Sequence, residues 1–192
     1  NSTAGTVLDQ LHVSGIDEDM NITFALTSGE GDTDNNLFSI VDGELVSSSS
    51  FDYESKSSLS IKVKASDELG GSFEKVLVIS VNNLNDNAPI IAANQSFDID
   101  ENSEENTVVG TVSVSDADGS TTYENWTITS GNTNEAFQID ENTGEISVKS
   151  TDLDYEAVGN YTLTVTVQDG GNTSEAVELS IDINNLKVIF MS

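Results

Sequence analysis

A chain of 192 residues with 34 acidic residues against 6 lysines and no arginine carries a formal net charge of -28, which excludes nucleic acid as a partner because phosphate contacts need basic side chains. A hydrophobic fraction of 36% supports packed cores. No apolar run reaches the roughly 20 residues of a spanning helix, and no basic, apolar leader opens the chain, so the fragment is expected not to insert into a membrane and any anchor or secretion signal is expected outside it.

In chain order, the first strand candidate is TVLDQLHV at 6 to 13. GDTDNNLFSI at 31 to 40 places Asp32, Asp34 and Asn36 at alternating positions like part of a helical calcium loop, but Leu37 stands where glycine is required and Gly43 where the closing glutamate belongs. That match is rejected. FSIVDGEL at 38 to 45 and FDYE at 51 to 54 follow, then SLSIKVKA, in which Leu59, Ile61, Val63 and Ala65 share one face and Lys62 and Lys64 the other. Such period-two alternation describes a strand that buries one side. ASDELGG at 65 to 71 is a turn, FEKVLVISV a further strand, and VNNL at 81 to 84 leads into NLNDNAP at 83 to 89, which holds the only proline.

At an offset of about 102 residues the same landmarks return: FQIDENTGEI at 137 to 146, LDYE at 153 to 156, VQDGG at 167 to 171 and INNL at 183 to 186. GTVSVS, YTLTVTVQ and AVELSIDI are the strand candidates of this second copy, with Tyr161, Leu163, Val165 and Val167 on one face of YTLTVTVQ. Ordered landmarks at fixed spacing signal two homologous domains. About seven short strands per roughly 100 residues, with Gly, Asn and Asp turns and no long helix, predict an all-β chain of two immunoglobulin-like Greek-key sandwiches in tandem.

NSTAGTV at 1 to 7 resembles NSEENTVVGTV at 102 to 112, but the second copy is preceded by FDIDE, ending in Glu101, and the first is not. A first strand is therefore expected to be missing from the first domain. Absent cysteine removes disulfides, thiol catalysis and cysteine-ligated zinc. Asn1, Asn21, Asn125 and Asn172 head glycosylation triplets. Trp126, the only tryptophan, reads as core, and His12 as an ordinary strand residue without a second histidine to build zinc or a relay.

The acidic pairs carry the chemistry. In extended chain, residues two apart point the same way, so Asp52 and Glu54 are expected to converge, as are Asp116 and Asp118 in SDADG. Calcium takes six to eight oxygens from carboxylates, amides, carbonyls and water, and each pair is a partial site. A glycosidase also uses paired carboxylates but needs a substrate cleft, and an enzyme is not expected.

These elements together resemble the cadherin repeat family, in which an acidic residue of the first strand, an L-D-R-E-like segment, a D-x-D loop, a D-x-N-D-N-x-P linker and a late aspartate before glycine clamp calcium between stacked domains. The resemblance implies a cadherin-like domain at 1–84, a calcium-binding linker core at 85–89 and a second cadherin-like domain at 90–192. It implies metal ligands at Asp52, Glu54, Asn85, Asp86, Asn87 (through its carbonyl), Asp116, Asp118 and Asp169, with a backbone oxygen near Thr121 and up to three calcium ions at the joint. The six carboxylates balance the charge of three such ions. Asn83 stands where the family has aspartate, and Tyr53 and Tyr155 replace its arginine. Asp17, Asp19 and Asp67 form an upper half-site; Glu101, Asp154 and Glu156 form a lower one whose linker reads Lys187 and Val188. The implied role is a calcium-rigidified extracellular or cell-surface spacer or cell-adhesion module, with neighbouring domains and homophilic contacts as partners. A carbohydrate-binding accessory pair is the alternative, and the Asp, Asn and Thr usage suggests a bacterial surface or secreted source.

Overall fold

In the computed structural model, residues 3–15, 20–119 and 122–186 are described. Asp17, Asp19, Thr121, Lys187 and Val188, as well as the triplet at Asn1, lie outside them. The chain divides into two compact units, Asn1–Leu84 and Asn85–Ser192.

The first unit contains β1 (Val7–Gln10), β2 (Ile22–Leu26), β3 (Phe38–Val41), β4 (Glu44–Ser47), β5 (Ser58–Asp67) and β6 (Ser72–Ser80). They form two antiparallel sheets, in the orders β1-β4-β3 and β2-β5-β6. The alternation in SLSIKVKA works as predicted: Leu59, Ile61 and Val63 are buried and pack with Phe38, Leu45 and Phe51, while Lys62 and Lys64 face outward. Phe38 and Phe51 rings meet at 5.2 Å between centroids. The rejected loop at 31 to 40 is instead a 3-10 turn over Asn35–Leu37, beside which buried Asp34 accepts from Lys56 Nζ at 2.5 Å and from the Ser60 N–H at 2.7 Å. TVLDQLHV is strand only over Val7–Gln10, and His12 lies beyond its end, exposed, with Nδ1 at 3.4 Å from the Gln10 carbonyl. The β1 ladder is bulged between Val7 and Asp9 and resumes over Asp9 and Gln10.

The second unit contains β7 (Ile90–Ile91), β8 (Ser96–Asp100), β9 (Val108–Thr111), β10 (Val114–Ser115), β11 (Glu124–Ser130), β12 (Phe137–Ile139), β13 (Glu145–Val148), β14 (Asn160–Gln168) and β15 (Val177–Asn184). One sheet runs β11-β14-β15-β8, the facing one β12-β13-β9, and β10 pairs with β7. Among the described residues β8 is the single parallel partner, Ser96 to Asp100 lying beside Ser180 to Asn184. GTVSVS divides between β9 and β10, with Val112 buried at the break.

Tyr161, Leu163, Val165 and Val167 are all buried, as the alternation in β14 requires. Trp126 is 4% exposed. A bulge in β11, with Asn125 in the left-handed region at φ 56°, delivers the indole into the core. Gly144 lies so close to that ring that a Cβ would stand 2.7 Å from it. DENTGE is the β12–β13 hairpin turn, where Asp140 accepts from the Asn142 and Thr143 amides.

Candidate metal centre

Three pieces of the second unit build the centre: the NDN segment at 85 to 87, the turn after β10, and the end of β14. The buried inward face of β14 carries the chain directly to Asp169, which is only 1% exposed. Asp116 and Asp118 flank Ala117 in the turn, where the Asp118 N–H donates to Asp116 Oδ1 at 2.7 Å. One carboxylate oxygen from each of Asp116, Asp118 and Asp169 lies within 4.8 Å of the others.

Asn85 and Asn87 fasten this cluster. The Asn85 amide nitrogen donates to the Asp169 carbonyl, and the Asn85 carbonyl accepts from Asn172 Nδ2 at 3.3 Å. Asn87 donates its main-chain N–H to Asp118 Oδ2 at 2.7 Å and its side-chain amide to Asp118 Oδ1 at 2.7 Å. Asp86 Oδ1 also accepts from the Asn87 amide at 3.3 Å. Gly170 has a φ of +78°, and a Cβ there would come within 3.6 Å of the Asn85 amide nitrogen.

The electrostatics of the cluster are unbalanced. Asp116 Oδ2 and both carboxylate oxygens of Asp169 are buried with no hydrogen-bond partner. Burial first, and then the facing Asp169 and Asp118 charges, push the Asp116 carboxyl above its ordinary range. Tyr123, missed in the sequence, stands near enough that its phenol is raised too, by burial and then by Asp116 and Asp169. Asn172 was seen only as a glycosylation triplet; its place two residues beyond Gly170 in the loop from β14 was the available signal.

The aspartate pairs converge differently from the expectation. They sit in turns rather than extended strand, each first aspartate accepting the amide two residues on. Asp52 Oδ1 accepts the Glu54 N–H at 3.1 Å, and Asp154 Oδ1 the Glu156 N–H at 2.9 Å. Aspartate side chains form such turns readily because the carboxylate mimics a backbone acceptor. Asp52 and Glu54 lie on the first unit, where hydrogen bonds from Ser55 and Glu54 hold the Asp52 carboxyl below its usual range.

A second acidic group belongs to the second unit: oxygens of Glu101, Asp154 and Glu156 lie within 4.8 Å of one another. Glu101 is buried and accepts the Tyr155 N–H at 3.2 Å and the Leu186 N–H at 2.6 Å. Asn185 donates to Glu156 at 2.8 Å. Asp67 accepts from the Leu69 and Gly71 amides, both at 2.8 Å.

Residues 95–184 match the cadherin domain family. Protocadherin alpha-2 of Homo sapiens and that of Pan troglodytes are each 33% identical over 128 residues, 63% of this chain and 14% of theirs, so the chain spans about a seventh of those relatives. The EC22-24 fragment of mouse cadherin-23 superposes with a TM-score of 0.69 at 26% identity, over 96% of this chain and 61% of that one. The human desmocollin-1 ectodomain gives a TM-score of 0.70 at 23% identity, over 94% of this chain and 36% of that one, and carries the fold. These relatives are vertebrate and lend a bacterial source no support. The matched family domain is a cadherin domain, and the desmocollin-1 structure is that of an ectodomain. Its second unit is a cadherin domain, and the chain is a tandem pair of cadherin-like domains of immunoglobulin type.

Proposed function

We propose that the chain is an extracellular adhesion module in which calcium stiffens the connection between its two sandwiches. The buried oxygens of Asp116 and Asp169 without partners carry this reading. An ionised carboxylate buried without compensation is destabilising by several kcal/mol, and a divalent cation removes that penalty. Every donor is oxygen, a set that suits calcium over softer metals.

The proposed ligands are Asp116, Asp118, Asp169, the Asn85 amide oxygen, Asp86 and the Asn87 carbonyl, joined by Asp52 and Glu54 of the first unit around up to three ions. Since cation binding neutralises charges that otherwise repel, metal and domain alignment are thermodynamically coupled on this reading. The module then acts mechanically, presenting surfaces of neighbouring domains of the same protein for homophilic contact. Carbohydrate binding calls for an exposed aromatic platform; the only tryptophan is in the core, and the exposed aromatics Tyr53, Phe73 and Tyr155 stand on separate segments.

Calcium titration of metal-free protein by calorimetry, paired with small-angle scattering, tests the proposal. Binding of several ions with a change from a loose to an elongated pair is expected. No heat at millimolar calcium would overturn it.

A further inference from the structure

The second unit begins at Asn85, ahead of β7, and hydrogen bonds that need no cation account for this. The Asn85 side-chain amide donates to the Asp169 carbonyl and the Asn85 carbonyl accepts from Asn172 Nδ2 at 3.3 Å, so the loop that follows β14 grips Asn85 twice. Asn87 directs its main-chain N–H and its side-chain amide to the two carboxylate oxygens of Asp118, each at 2.7 Å. The receiving turn is itself fixed. The Asp118 N–H donates to Asp116 Oδ1 at 2.7 Å and the Gly119 N–H to the Asp116 carbonyl at 3.2 Å. At the far end of the segment Pro89 is fully buried, and Ile91, buried too, pairs with Val114 of β10.

Two of these four bonds end on a carboxylate, the stronger class of hydrogen bond, and the proline ring fixes its own φ. With Pro89 anchored, the entropy lost on docking is that of the few residues 85–88. On the first unit the chain is held as far as Val81, whose N–H donates to the Ser57 carbonyl at 3.0 Å. Asn82, Asn83 and Leu84 lie between the two anchorages and are exposed.

We propose that Asn172 and the side chain of Asn87 are positioning residues that keep the segment 85–89 docked on the second unit before any metal arrives, confining metal-free bending to 82–84. Neither side chain belongs to the proposed ligand set, in which Asn87 serves through its carbonyl. The ligands of the segment, the Asn85 amide oxygen, Asp86 and the Asn87 carbonyl, are then gathered beside Asp116, Asp118 and Asp169 in advance. Calcium meets a site already in place instead of a linker it has to fold. That consequence rests on the calcium reading; the docking does not.

The test is backbone relaxation and amide exchange by magnetic resonance on the isotopically labelled chain, in chelator and without calcium. Order parameters of about 0.85 at Asn85, Asp86 and Asn87, the value of rigid backbone, are expected, with a minimum below about 0.6 falling within 82–84. Asn87→Ala should speed amide exchange in 85–87 about tenfold or more, and Asn172→Ala about threefold or more. Exchange in β14 and β15 should stay unchanged in both, which shows the sandwich intact. Asn87→Asp withdraws the donor and sets a second carboxylate against Asp118, and should bring 85–87 below about 0.6. Order parameters that low in the unsubstituted chain, a minimum inside 85–89, rigid backbone throughout 82–84, or variants that leave exchange in the segment unchanged would each overturn the proposal. A rigid segment in a chain that binds no calcium would uphold it and remove the metal reading, and a loose segment in a chain that binds calcium would do the reverse.

Discussion

Asp118 holds Asn87 at two points, one carboxylate oxygen on its main-chain N–H and the other on its side-chain amide, each at 2.7 Å. The segment just ahead of the only proline is thereby tied to the turn after β10 by hydrogen bonds alone. A cation at Asp118 has to share oxygens that already accept, whereas Asp169 offers two that do not.

Asp169→Asn is therefore the sharpest substitution. It removes a buried charge while keeping shape, so the metal-free second unit should melt at a higher temperature than the unsubstituted one. The gain on adding calcium should largely vanish. For the unsubstituted protein that gain is about 2.7 kcal/mol when calcium stands at a hundred times its dissociation constant. Scanning calorimetry with chelator and with calcium reads both numbers.

Asp86 is exposed and contributes little to either core. D86A should leave both sandwiches folded yet loosen the calcium-loaded pair, seen as a smaller average radius of gyration and a shorter maximum dimension in scattering. D154A should change it far less. Equal rigidity of D86A and the unsubstituted protein would remove Asp86 from the ligand set.

Asp34 governs acid behaviour of the first unit. Its burial raises its pKa, but the Lys56 ammonium and the Ser60 amide outweigh this and leave it lowered from 3.8. A carboxyl lowered by folding gives stability that is present above its unfolded value and lost as pH falls through the folded one. The loss should come below about pH 4, and Asp34→Asn should flatten the stability profile there while costing about 1.5–3 kcal/mol at neutral pH. Urea unfolding as a function of pH checks it.

Glu101 joins β8 to the turn at Tyr155 and to Leu186. Glu101→Ala leaves two amides without an acceptor and should cost about 2–4 kcal/mol, measured by denaturant unfolding of the second unit. Glu101→Gln retains one acceptor oxygen and should cost less.

Strands with one buried face were legible because hydrophobicity repeats with the pleat. SLSIKVKA and YTLTVTVQ became β5 and β14 with the predicted faces inside. GTVSVS was not legible as two strands, because alternation continues unbroken while the chain changes partner at Val112. The pairing of Asp116 with Asp118 was visible from spacing, but its cause was not. Spacing of two serves an extended strand and an aspartate turn alike, and only the Asp118 amide on Asp116 decides between them. Tyr123 and Asn172 reach the cluster from loops whose course has no signature in hydropathy.

The parallel pairing of β8 with β15 has a mechanical consequence. β8 enters the second unit near its start and β15 leaves it near its end, and both run the same way. Tension applied to the two ends drags these strands past each other lengthwise. All five residue pairs from Ser96 to Asp100 are then loaded in shear and must yield together, instead of peeling apart one after another.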